Sequence, residues 1–425
     1  MTIKTVLDLH ALGQAAQKAA RKLARLSTDD KNQVLLNLAA LLRSDHADVL
    51  AANKGDYQEA KADGLEESML DRLLLTGDRL NGIADEIERV AELPDPIGEV
   101  IETSSLPNGL ITSRRRVPLG VVGSIYESRP NVTVDIFGLC LKSGNACILR
   151  GGKETIRSNT ALHTMLRKAL SDSGITTDAV QFVNNPDRAL VDAMLKMDSY
   201  IDLLVPRGGA SLVKYVAENA TMPAVTGGIG VCHTYVDRSA DLNMAVEIVH
   251  NAKVRRPSIC NALDTVLLHS EVAAVGLPMI AKELTGSGVE LHCDNRALSV
   301  LGPESSEAAI PANEDDWGRE FLSLTAAVKI VDSLDDALEH IETYGSGHSE
   351  AIITEDDEAA TRFLDEVDAA AVYVNASTQF TDGGQFGLGS EVGISTQKFH
   401  ARGPMGLKEL TSYKWVIVGK GQIRP

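Results

Sequence analysis

The spacing of hydrophobic residues changes near residue 117, and this change divides the chain into a helical part and a part in which strands and helices alternate. Over residues 1–100, apolar side chains recur every three or four positions, which is the period of an amphipathic helix. One such stretch begins at Ser27, Thr28 and Asp29, which are residue types that cap helix N-termini. The apolar positions that follow on one face are Val34, Leu35, Leu38, Leu41 and Leu42. The pattern predicts helices over most of this region.

From Val117 onwards, short apolar runs alternate with helical segments. The runs of a first series are 117–126, 145–151, 179–185 and 201–209. A second series starts near residue 232, with runs at 231–237, 262–269, 289–294, 326–333, 350–356 and 370–376. Strands that alternate with helices form parallel sheets covered by helices on both faces. The sequence therefore predicts an α/β fold with two tandem, Rossmann-like parallel-sheet domains.

Two segments fit neither series. Residues 104–118, SSLPNGLITSRRRVP, and the late stretch 410–419, LTSYKWVIVG, both have the composition of extended strands. We expect them to form a small β element, in which they pair either with each other or with another subunit. The domain boundaries predicted on this basis are 1–231 and 232–405 for the two α/β domains, and 406–425 for the final strand, with 104–118 contributing to the same element.

Composition narrows the classes of partner. The chain has 425 residues and a formal net charge of −18, and no basic face stands out in the sequence, so a nucleic-acid partner is not expected. No apolar run approaches the roughly 18 residues that a membrane span needs, and the first residues lack the pattern of a signal peptide. The 5 cysteines include no CxxC pair, which is typical of a reducing compartment. These features predict a cytoplasmic protein.

One cysteine has neighbours that suit a reactive group. Cys260 follows Arg255, Arg256 and Pro257 in NAKVRRPSICNALDT, on the predicted connection between a helix and the next strand. Basic neighbours favour the thiolate, which is the nucleophilic form of cysteine. The alternative is that Cys260 is a small buried hydrophobic residue, since cysteine is among the most buried residue types. The residues leave both interpretations open.

Glycine-rich turns offer candidate anion sites. ILRGGKET at 148–155 and VPRGGASL at 205–212 each follow a strand and open a helix, where backbone amides can hold a phosphate. Each turn alone is better explained as a plain tight turn, but two such turns in one series, each beside a basic residue, favour an anionic cofactor. The glycines of GGIGVCH at 227–233 predict a close backbone approach or a crossover between domains, and 382–396 predicts a loop over a site. The histidines have no ligand-like spacing, so no metal site is expected.

Together these stretches resemble the aldehyde dehydrogenase superfamily. Within it the chain is similar to the γ-glutamyl phosphate reductases, and the similarity runs nearly from end to end. The stretches that carry it are RRRVPLGVVGSIYESRPNVTVD, ILRGGKET, DLLVPRGGASL, VTGGIGVCHTYVD, NAKVRRPSICNALDT, EVDAAAVYVNASTQFTDGGQFGLGSEVGISTQK and HARGPMGLKELTSYKW. The resemblance implies that the first predicted domain binds NADP, that the second carries the catalytic cysteine, and that the small β element serves oligomerisation.

The resemblance also implies roles for individual residues. Cys260 is the expected nucleophile, and the side-chain amide of Asn131 the expected donor to the oxyanion. The residues expected to bind the cofactor are Arg150, Lys153, Gly208, Gly209 and Glu320, of which Glu320 matches the glutamate that hydrogen-bonds the nicotinamide ribose. The residues expected to bind substrate are Arg256, Ser258, Ser377 and Thr378. Arg256 is the candidate for guiding phosphate, with capping of the preceding helix as the alternative.

The reaction implied is the NADPH-dependent reduction of γ-glutamyl phosphate to glutamate 5-semialdehyde through a cysteine thioester, the second step of proline biosynthesis from glutamate. Hydrolytic aldehyde dehydrogenases carry a glutamate in an ELGG turn, whereas the corresponding turn here, VTGGIGV at 225–231, has no carboxylate. The expected partners are the small-molecule substrate, a separate glutamate kinase that supplies it, and further copies of the chain in a homo-oligomer. The alternatives are a different acyl-phosphate or acyl-CoA reductase and a scaffold that has lost catalysis.

Overall fold

The computed structural model describes residues 8–225, 227, 229–302 and 309–424. They form two compact units. The first unit comprises the chain up to Thr226 together with Gly387–Gly393 and the segment from Met405 onwards, and the second comprises Gly227–Phe386 and Ile394–Pro404. The units therefore differ from the predicted domains 1–231, 232–405 and 406–425. Hydrophobic spacing locates strands and helices, but it does not show with which core a later loop packs.

The elements of the first unit begin with helices, as the period of the first hundred residues predicts. In chain order they are α1 (Leu9–Leu23), α2 (Thr28–Ser44), α3 (Ala47–Ala62), α4 (Glu67–Leu73), α5 (Gly77–Glu92), β1 (Val100–Ser105), β2 (Ile111–Pro118), β3 (Val121–Tyr126), α6 (Asn131–Lys142), β4 (Ala146–Arg150), α7 (Ile156–Asp172), β5 (Val180–Phe182), α8 (Ala189–Met194), β6 (Leu203–Arg207), α9 (Ala210–Asn219) and, near the C-terminus, β16 (Thr411–Val418). The Ser27 hydroxyl caps α2, where it accepts a hydrogen bond from the Asp30 amide at 3.1 Å.

A four-stranded parallel sheet forms the core of the first unit, with strand order β5-β4-β3-β6. Every residue of β3 and β4 is buried, so both faces of the sheet are covered and the prediction of a parallel α/β sheet is confirmed. The carboxyl ends of β4 and β6 carry Arg150 and Arg207, and each strand is followed by a glycine pair. Of the predicted cofactor residues, Arg150, Lys153, Gly208 and Gly209 therefore lie along the carboxyl edge of this sheet, whereas Glu320 belongs to the second unit.

A separate three-stranded antiparallel sheet has the order β1-β2-β16. The predicted single strand over 104–118 is instead a hairpin, because the Pro107-Asn108-Gly109 turn, with φ +82° at Gly109, reverses the chain. The late strand β16 pairs with β2 over its whole length, from Thr411↔Pro118 to Val418↔Ile111. Of the two expected pairings, the one between the two segments is present. The second edge of β16 has no strand beside it among the described residues.

The second unit is built on a larger parallel sheet. Its elements are β7 (Cys232–Val236), α10 (Leu242–Val254), β8 (Leu263–His269), α11 (Ser270–Gly286), β9 (Glu290–Cys293), α12 (Asn295–Leu301), β10 (Ala309–Pro311), β11 (Thr325–Val331), α13 (Leu334–Tyr344), β12 (Ser349–Ile353), α14 (Asp357–Glu366), β13 (Ala371–Val374), β14 (Ile394–Ser395) and β15 (Gly403–Pro404). The first seven strands among these, through β13, form one sheet in the order β10-β9-β11-β8-β7-β12-β13. All its pairings are parallel.

Apolar clusters cover both faces of this seven-stranded sheet. One cluster packs α10, α11 and α12 against β8, β9 and β11, and the other packs α13 and α14 against the opposite face. The six predicted strands of this series are confirmed, whereas β10, which has only the residues Ala-Ile-Pro, was not predicted because three residues show no alternation. No helix among the described residues is long and apolar enough to cross a membrane.

Candidate active site

Cys260 lies on a short connection in the second unit, between the end of α10 at Val254 and the start of β8 at Leu263. This is the position that the sequence predicts. Its side chain is partly exposed, whereas the other cysteines, Cys140, Cys147, Cys232 and Cys293, are buried. Burial raises the pKa values of the Cys147 and Cys232 thiols well above their usual range. Of the cysteines, only Cys260 is open to a substrate.

The Cys260 connection is fixed by hydrogen bonds from a later segment of the same unit. The side-chain amide of Asn261 donates to the carbonyls of Gln379 and Thr381, at 3.2 and 3.0 Å. The Thr378 hydroxyl donates to the Asn261 carbonyl at 2.7 Å. Asn261, Thr378 and Gln379 are all buried. Buried polar groups that are satisfied in this way hold the backbone in one conformation, so the residue next to Cys260 is held in place.

Gln379 ties the same segment to the end of α10. Its side-chain amide donates to the Ala252 carbonyl at 2.9 Å, and its carbonyl oxygen accepts from the Arg255 guanidinium at 3.1 Å. The sequence analysis missed this residue, because a glutamine in the polar run STQF carries no periodic signal. Arg255 is therefore engaged with Gln379.

Gly230 packs directly against the backbone of Cys260. A Cβ atom built on Gly230 would lie 1.4 Å from the Cys260 carbonyl oxygen, so no other residue fits without moving the loop. This confirms that the glycines of GGIGVCH serve a close backbone approach. Gly227 shows the same feature, since its Cβ would lie 2.6 Å from the Thr396 amide nitrogen. Thr226 and Gly228 of this turn lie outside the described residues.

Glu320 reaches the same turn from the segment before β11. Its carboxylate accepts a hydrogen bond from the Gly230 amide at 3.1 Å. Burial raises the pKa of Glu320 to about 7. The turn itself contains no carboxylate, as the sequence predicts, but a carboxyl group from elsewhere in the chain lies beside it.

A buried ion pair organises the loops around Cys260. Asp264 on β8 accepts from the Phe321 amide at 3.0 Å and from the Cys232 amide at 3.4 Å, and its carboxylate lies 3.7 Å from the Lys253 ammonium. Lys253 and Asp264 are both buried, and burial lowers the pKa of Lys253 and raises that of Asp264 to about 6. A charged residue inside the apolar run ALDTVLLH was the available signal for this position.

The predicted substrate residues fall into two groups. Arg256 and Ser258 are exposed on the Cys260 connection, and α10 ends before them. Ser377 and Thr378 are buried, and their hydroxyls serve the protein itself: Ser377 accepts from the Gln379 amide at 3.3 Å, and Thr378 donates to the Asn261 carbonyl. The second pair therefore positions the cysteine loop, and a direct substrate contact from either residue stays a prediction.

Asn131 lies in the first unit, as the first residue of α6. Its side-chain amide donates to the Asp135 carboxylate, one turn along the helix, at 2.9 Å. Burial raises the pKa of Asp135 to about 7. An amide nitrogen carries two hydrogens, so this bond orients the group and leaves one hydrogen for a ligand. Asp135 is a positioning residue that the sequence analysis did not identify.

The basic pair predicted to bind the cofactor is divided between two environments. Arg150 is 8% exposed, donates to the Pro186 carbonyl at 3.0 Å, and has a buried Nε without a partner among the described residues. Burial lowers the pKa of Arg150. Lys153 is exposed in the turn before α7. The orphaned donor on Arg150 is an observation that fits an anionic ligand at this place.

The glycine turn after β6 already holds a carboxylate. The Gly209 amide, at the start of α9, donates to Glu127 at 3.0 Å, and a Cβ on Gly208 would lie 2.4 Å from the same carboxylate. Glu154 is bound in a similar way by the Ser128 amide and hydroxyl, at 2.6 and 2.8 Å. A carboxylate at a helix start stands in for an anion, so this edge of the sheet fits a phosphate-bearing cofactor. The two carboxylates also offset the charges of the basic pair.

No cluster of three or more histidine, cysteine or acidic side chains suited to a metal occurs among the described residues. The second unit contains a partly exposed thiol on a loop that buried side chains hold in place. Separately, the first unit contains a sheet edge that suits an anion. This combination suits chemistry in which a thiol forms a covalent intermediate while a bound organic cofactor carries the redox step.

Comparison with known proteins agrees with this chemistry. The sequence profile of the aldehyde dehydrogenase family matches residues 3–310. The γ-glutamyl phosphate reductase of Dehalococcoides mccartyi strain 195 is 55% identical over 421 residues, which are 99% of this chain and 99% of that protein. The protein of that name from Escherichia coli is 54% identical over 98% of this chain and 100% of its own.

A solved structure agrees over the same length. The crystal structure of γ-glutamyl phosphate reductase from Thermotoga maritima superposes with a TM-score of 0.96 at 44% identity, and the match covers 99% of this chain and 100% of that one. The fold, the loop that carries Cys260 and the sequence thus indicate the same family. The chain is an oxidoreductase that belongs to the aldehyde dehydrogenase family and, within it, to the γ-glutamyl phosphate reductases.

Proposed function

We propose that this protein reduces γ-glutamyl phosphate to glutamate 5-semialdehyde and phosphate, with NADPH as the reductant and a thioester on Cys260 as the intermediate. The observation that carries the proposal is the partly exposed Cys260 on a loop that buried side chains hold in place. The names of the relatives supply the substrate class. On this proposal the reaction is the second step of proline biosynthesis from glutamate, in the cytoplasm.

The first step is acyl transfer. The Cys260 thiolate attacks the acyl carbon, the carbon–oxygen bond to phosphate breaks, and a thioester forms. Phosphate is a good leaving group, so the step needs no strong general acid. Charge develops on the carbonyl oxygen, and we assign its stabilisation to the Cys260 backbone amide and the Asn131 side chain. Removing one such donor typically costs about 10²–10³ in rate.

The cofactor residues of this chain are Arg150, Lys153, Gly208, Gly209 and Glu320. When bound, NADPH supplies the hydride that takes the thioester to the level of an aldehyde. Arg150 and Lys153 have the charge to pair with a 2′-phosphate, and the Gly209 amide, which donates to Glu127, would hold a cofactor phosphate. After reduction the carbon–sulfur bond breaks, Cys260 leaves as a thiolate, and the semialdehyde is released.

Water must be kept from the thioester. A positioned carboxylate base speeds such hydrolysis by about 10²–10⁴-fold, and Glu320 is the carboxyl group beside the VTGGIGV turn. We propose that Glu320 binds the cofactor ribose and does not activate water. In the reverse direction, oxidation of the semialdehyde then requires inorganic phosphate, which Arg256 guides to the thioester, and arsenate replaces it. Full-rate oxidation in phosphate-free buffer, with free glutamate as the product, would overturn this assignment.

The direct test of the activity is NADPH oxidation with γ-glutamyl phosphate made in situ by a separate glutamate kinase. We expect absorbance at the NADPH band to fall only when kinase, glutamate and ATP are all present. Oxidation with an acyl-CoA and none with the coupled kinase would favour the alternative, a different acyl reductase of the same family. Whether the kinase also binds this chain is decided by co-elution of the two proteins.

We further propose that the chain forms a homo-oligomer through β16. Tyr413, Trp415, Ile417 and Val418 are exposed, and the outer edge of this strand has no neighbour among the described residues. An apolar strand with a free edge invites pairing with a second copy. Deleting the residues after Leu410 is expected to yield a monomer or an aggregate in sizing with light scattering, whereas an active oligomer of unchanged mass would contradict the proposal.

A further inference from the structure

A cavity of about 690 Å³ in the first unit lies away from every predicted site residue. Its walls come from α1, from the ends of β2 and β16, and from the start of β3 at Gly120 and Val121. These are the amino end of β3 and the segment before β6. Arg150 and Arg207 mark the opposite, carboxyl edge of the same sheet, roughly 15–20 Å away for strands of this length. The cavity is therefore separate from the predicted cofactor residues.

Four cationic side chains that line this cavity have no carboxylate within ion-pair distance in the described part of the chain: Arg21, Arg25, Arg115 and Lys414. All four are exposed. The protein as a whole carries a net charge of −18, so this concentration of positive charge is not a consequence of composition. The lining also contains Arg116, which is paired with Glu99, and one carboxylate, Asp202, which accepts from the Val121 amide at 2.8 Å.

The arginines on either side of Arg115 in β2 are neutralised by carboxylates, whereas Arg115, among the described residues, is not. On one face of β2, Arg114 pairs with Glu102 at 2.9 Å, and Arg116 pairs with Glu99 at 2.9 Å. Arg115 points to the other face, where its cross-strand neighbours are Val100 and Lys414. Like charges directly opposite each other destabilise a sheet.

The helix on the other side of the cavity, α1, also places two like charges next to each other. Arg21 and Arg25 are one turn apart on α1 and its C-cap region, and like charges at this spacing repel. The helix dipole favours cations in the last turn, which accounts in part for Arg21, but it does not account for Arg115 and Lys414 on two strands. The helix α1 with its C-terminal end and the strand pair β2–β16 thus each contribute uncompensated cations to the lining of one cavity.

We propose that this cavity binds a small multivalent oxyanion of the polyphosphate or polycarboxylate class. Guanidinium groups bind such oxyanions with two parallel hydrogen bonds, and a multiply charged ligand relieves repulsion between the strand pair and between the helix pair together. The volume is in the range of small-molecule sites, about 300–1,000 Å³. The small apolar side chains Ala20 and Ala24 complete the helix wall, leaving room for a compact ligand. The proposal does not rest on the reaction assigned to Cys260.

The test is calorimetric titration of the full chain at low ionic strength with inorganic pyrophosphate and, separately, with citrate. We expect one site per chain for at least one of the two probes. The double variant Arg21→Gln/Arg115→Gln should weaken that binding at least tenfold, and the matched control Arg114→Gln, on the opposite face of β2, should change it less than twofold. Binding of pyrophosphate alone assigns a polyphosphate, and binding of citrate alone assigns a polycarboxylate.

Two outcomes would overturn the proposal. The first is that neither probe binds, or that binding is unchanged in the double variant, since the anion site would then lie elsewhere. The second combines two results: no probe binds the original protein, and the charge-reversed variant Arg21→Glu/Arg115→Glu loses its oligomeric mass. Together they would assign the cavity to an acidic segment of a second copy. Thermal unfolding of each variant without ligand checks that its fold is retained.

Discussion

The two parallel sheets present their functional groups at opposite ends of their strands. In the first unit the predicted cofactor residues follow β4 and β6, at the carboxyl edge, where α/β proteins usually bind ligands. In the second unit Gly230, Cys260 and Glu320 all precede strands, at the amino edge of the seven-stranded sheet. The usual rule thus describes the sheet with the proposed cofactor residues and fails for the sheet with Cys260, the proposed nucleophile.

The two sheet edges also differ in how hydrogen bonds hold the residues that lie there. At the amino edge of the second unit, buried side chains bond the backbone on both sides of Cys260, because Gln379 donates to the Arg256 carbonyl and Thr378 donates to the Asn261 carbonyl. At the carboxyl edge of the first unit, Lys153 is exposed, and the carboxylates Glu127 and Glu154 are bound by backbone amides, of which the Gly209 amide is a proposed cofactor donor. We infer that the loop of Cys260 is preorganised, whereas the sheet edge with the proposed cofactor residues rearranges when the ligand binds.

The largest expected effect is at the nucleophile. Cys260→Ser should lose on the order of 10³-fold or more in kcat, because a hydroxyl at this position lacks an activated anion. NADPH binding, followed by fluorescence, should remain within a few-fold, since the cofactor residues proposed in the first unit are untouched. The matched control is Cys147→Ser in the core, which should lower the midpoint of thermal unfolding and leave chemistry in the folded fraction intact. More than a tenth of the original rate in Cys260→Ser would refute the mechanism.

A pair of glycines tests rigidity at the two edges. Gly230→Ala places a methyl group against the Cys260 carbonyl, where backbone must shift, and we expect kcat to fall by about 10²-fold, as when a reacting group is displaced by roughly 1 Å. Gly209→Ala meets nothing within 4 Å and keeps an ordinary φ of −68°, so kcat should change less than threefold. Equal losses in both variants would remove the distinction between the edges.

Glu320 should make the affinity for NADPH depend on pH. Because burial raises its pKa to about 7, the carboxyl is ionised only above that pH, and the KM for NADPH should rise as pH falls through 7. Glu320→Gln should have a KM roughly tenfold higher at pH 8 with no such dependence, in line with the loss of a charged hydrogen-bond acceptor. If the variant instead loses only phosphate-independent oxidation of the semialdehyde, Glu320 is a base for water.

The same carboxyl predicts a stability effect of defined sign. The native state keeps a proton that the unfolded chain releases between the ordinary value of 4.5 and about 7. The free energy of unfolding should therefore decrease as pH rises through this window. In Glu320→Gln the decrease should be shallower, as measured by urea unfolding at several pH values, and an identical slope in both proteins would place the titration elsewhere.

The smallest effect is expected at the exposed lysine. Lys153→Ala should raise the KM for NADPH about fivefold and leave that for NADH nearly unchanged, because one screened charge–phosphate contact is worth about 1 kcal/mol. Arg150→Ala is the informative comparison: its loss should also lower stability, since the buried guanidinium holds the Pro186 carbonyl. Equal changes for both cofactors in Lys153→Ala would assign that side chain to the surface alone.

The sequence alone determined the elements and the position of Cys260 on a loop. Periods of about two and 3.6 residues depend only on which face of a strand or helix is buried, so β3 to β9, β11, β12 and β13 and the N-terminal helices were predictable from neighbouring residues alone. Cys260 was predictable because its local setting, a polar turn between a helix and a strand, is itself encoded in a short stretch.

Tertiary structure decided the rest, because contacts between residues far apart in the chain leave no mark on local spacing. Gln379 lies 127 residues from the Ala252 carbonyl to which its side chain donates. Asp264 lies 57 residues from the Phe321 amide whose hydrogen bond it accepts. Glu320 lies 90 residues from the Gly230 amide that it binds. The clustering of Arg21 and Arg115 in one cavity likewise required the helix and the hairpin to be folded together. Only the folded chain brings these side chains to the groups whose pKa values and positions they set.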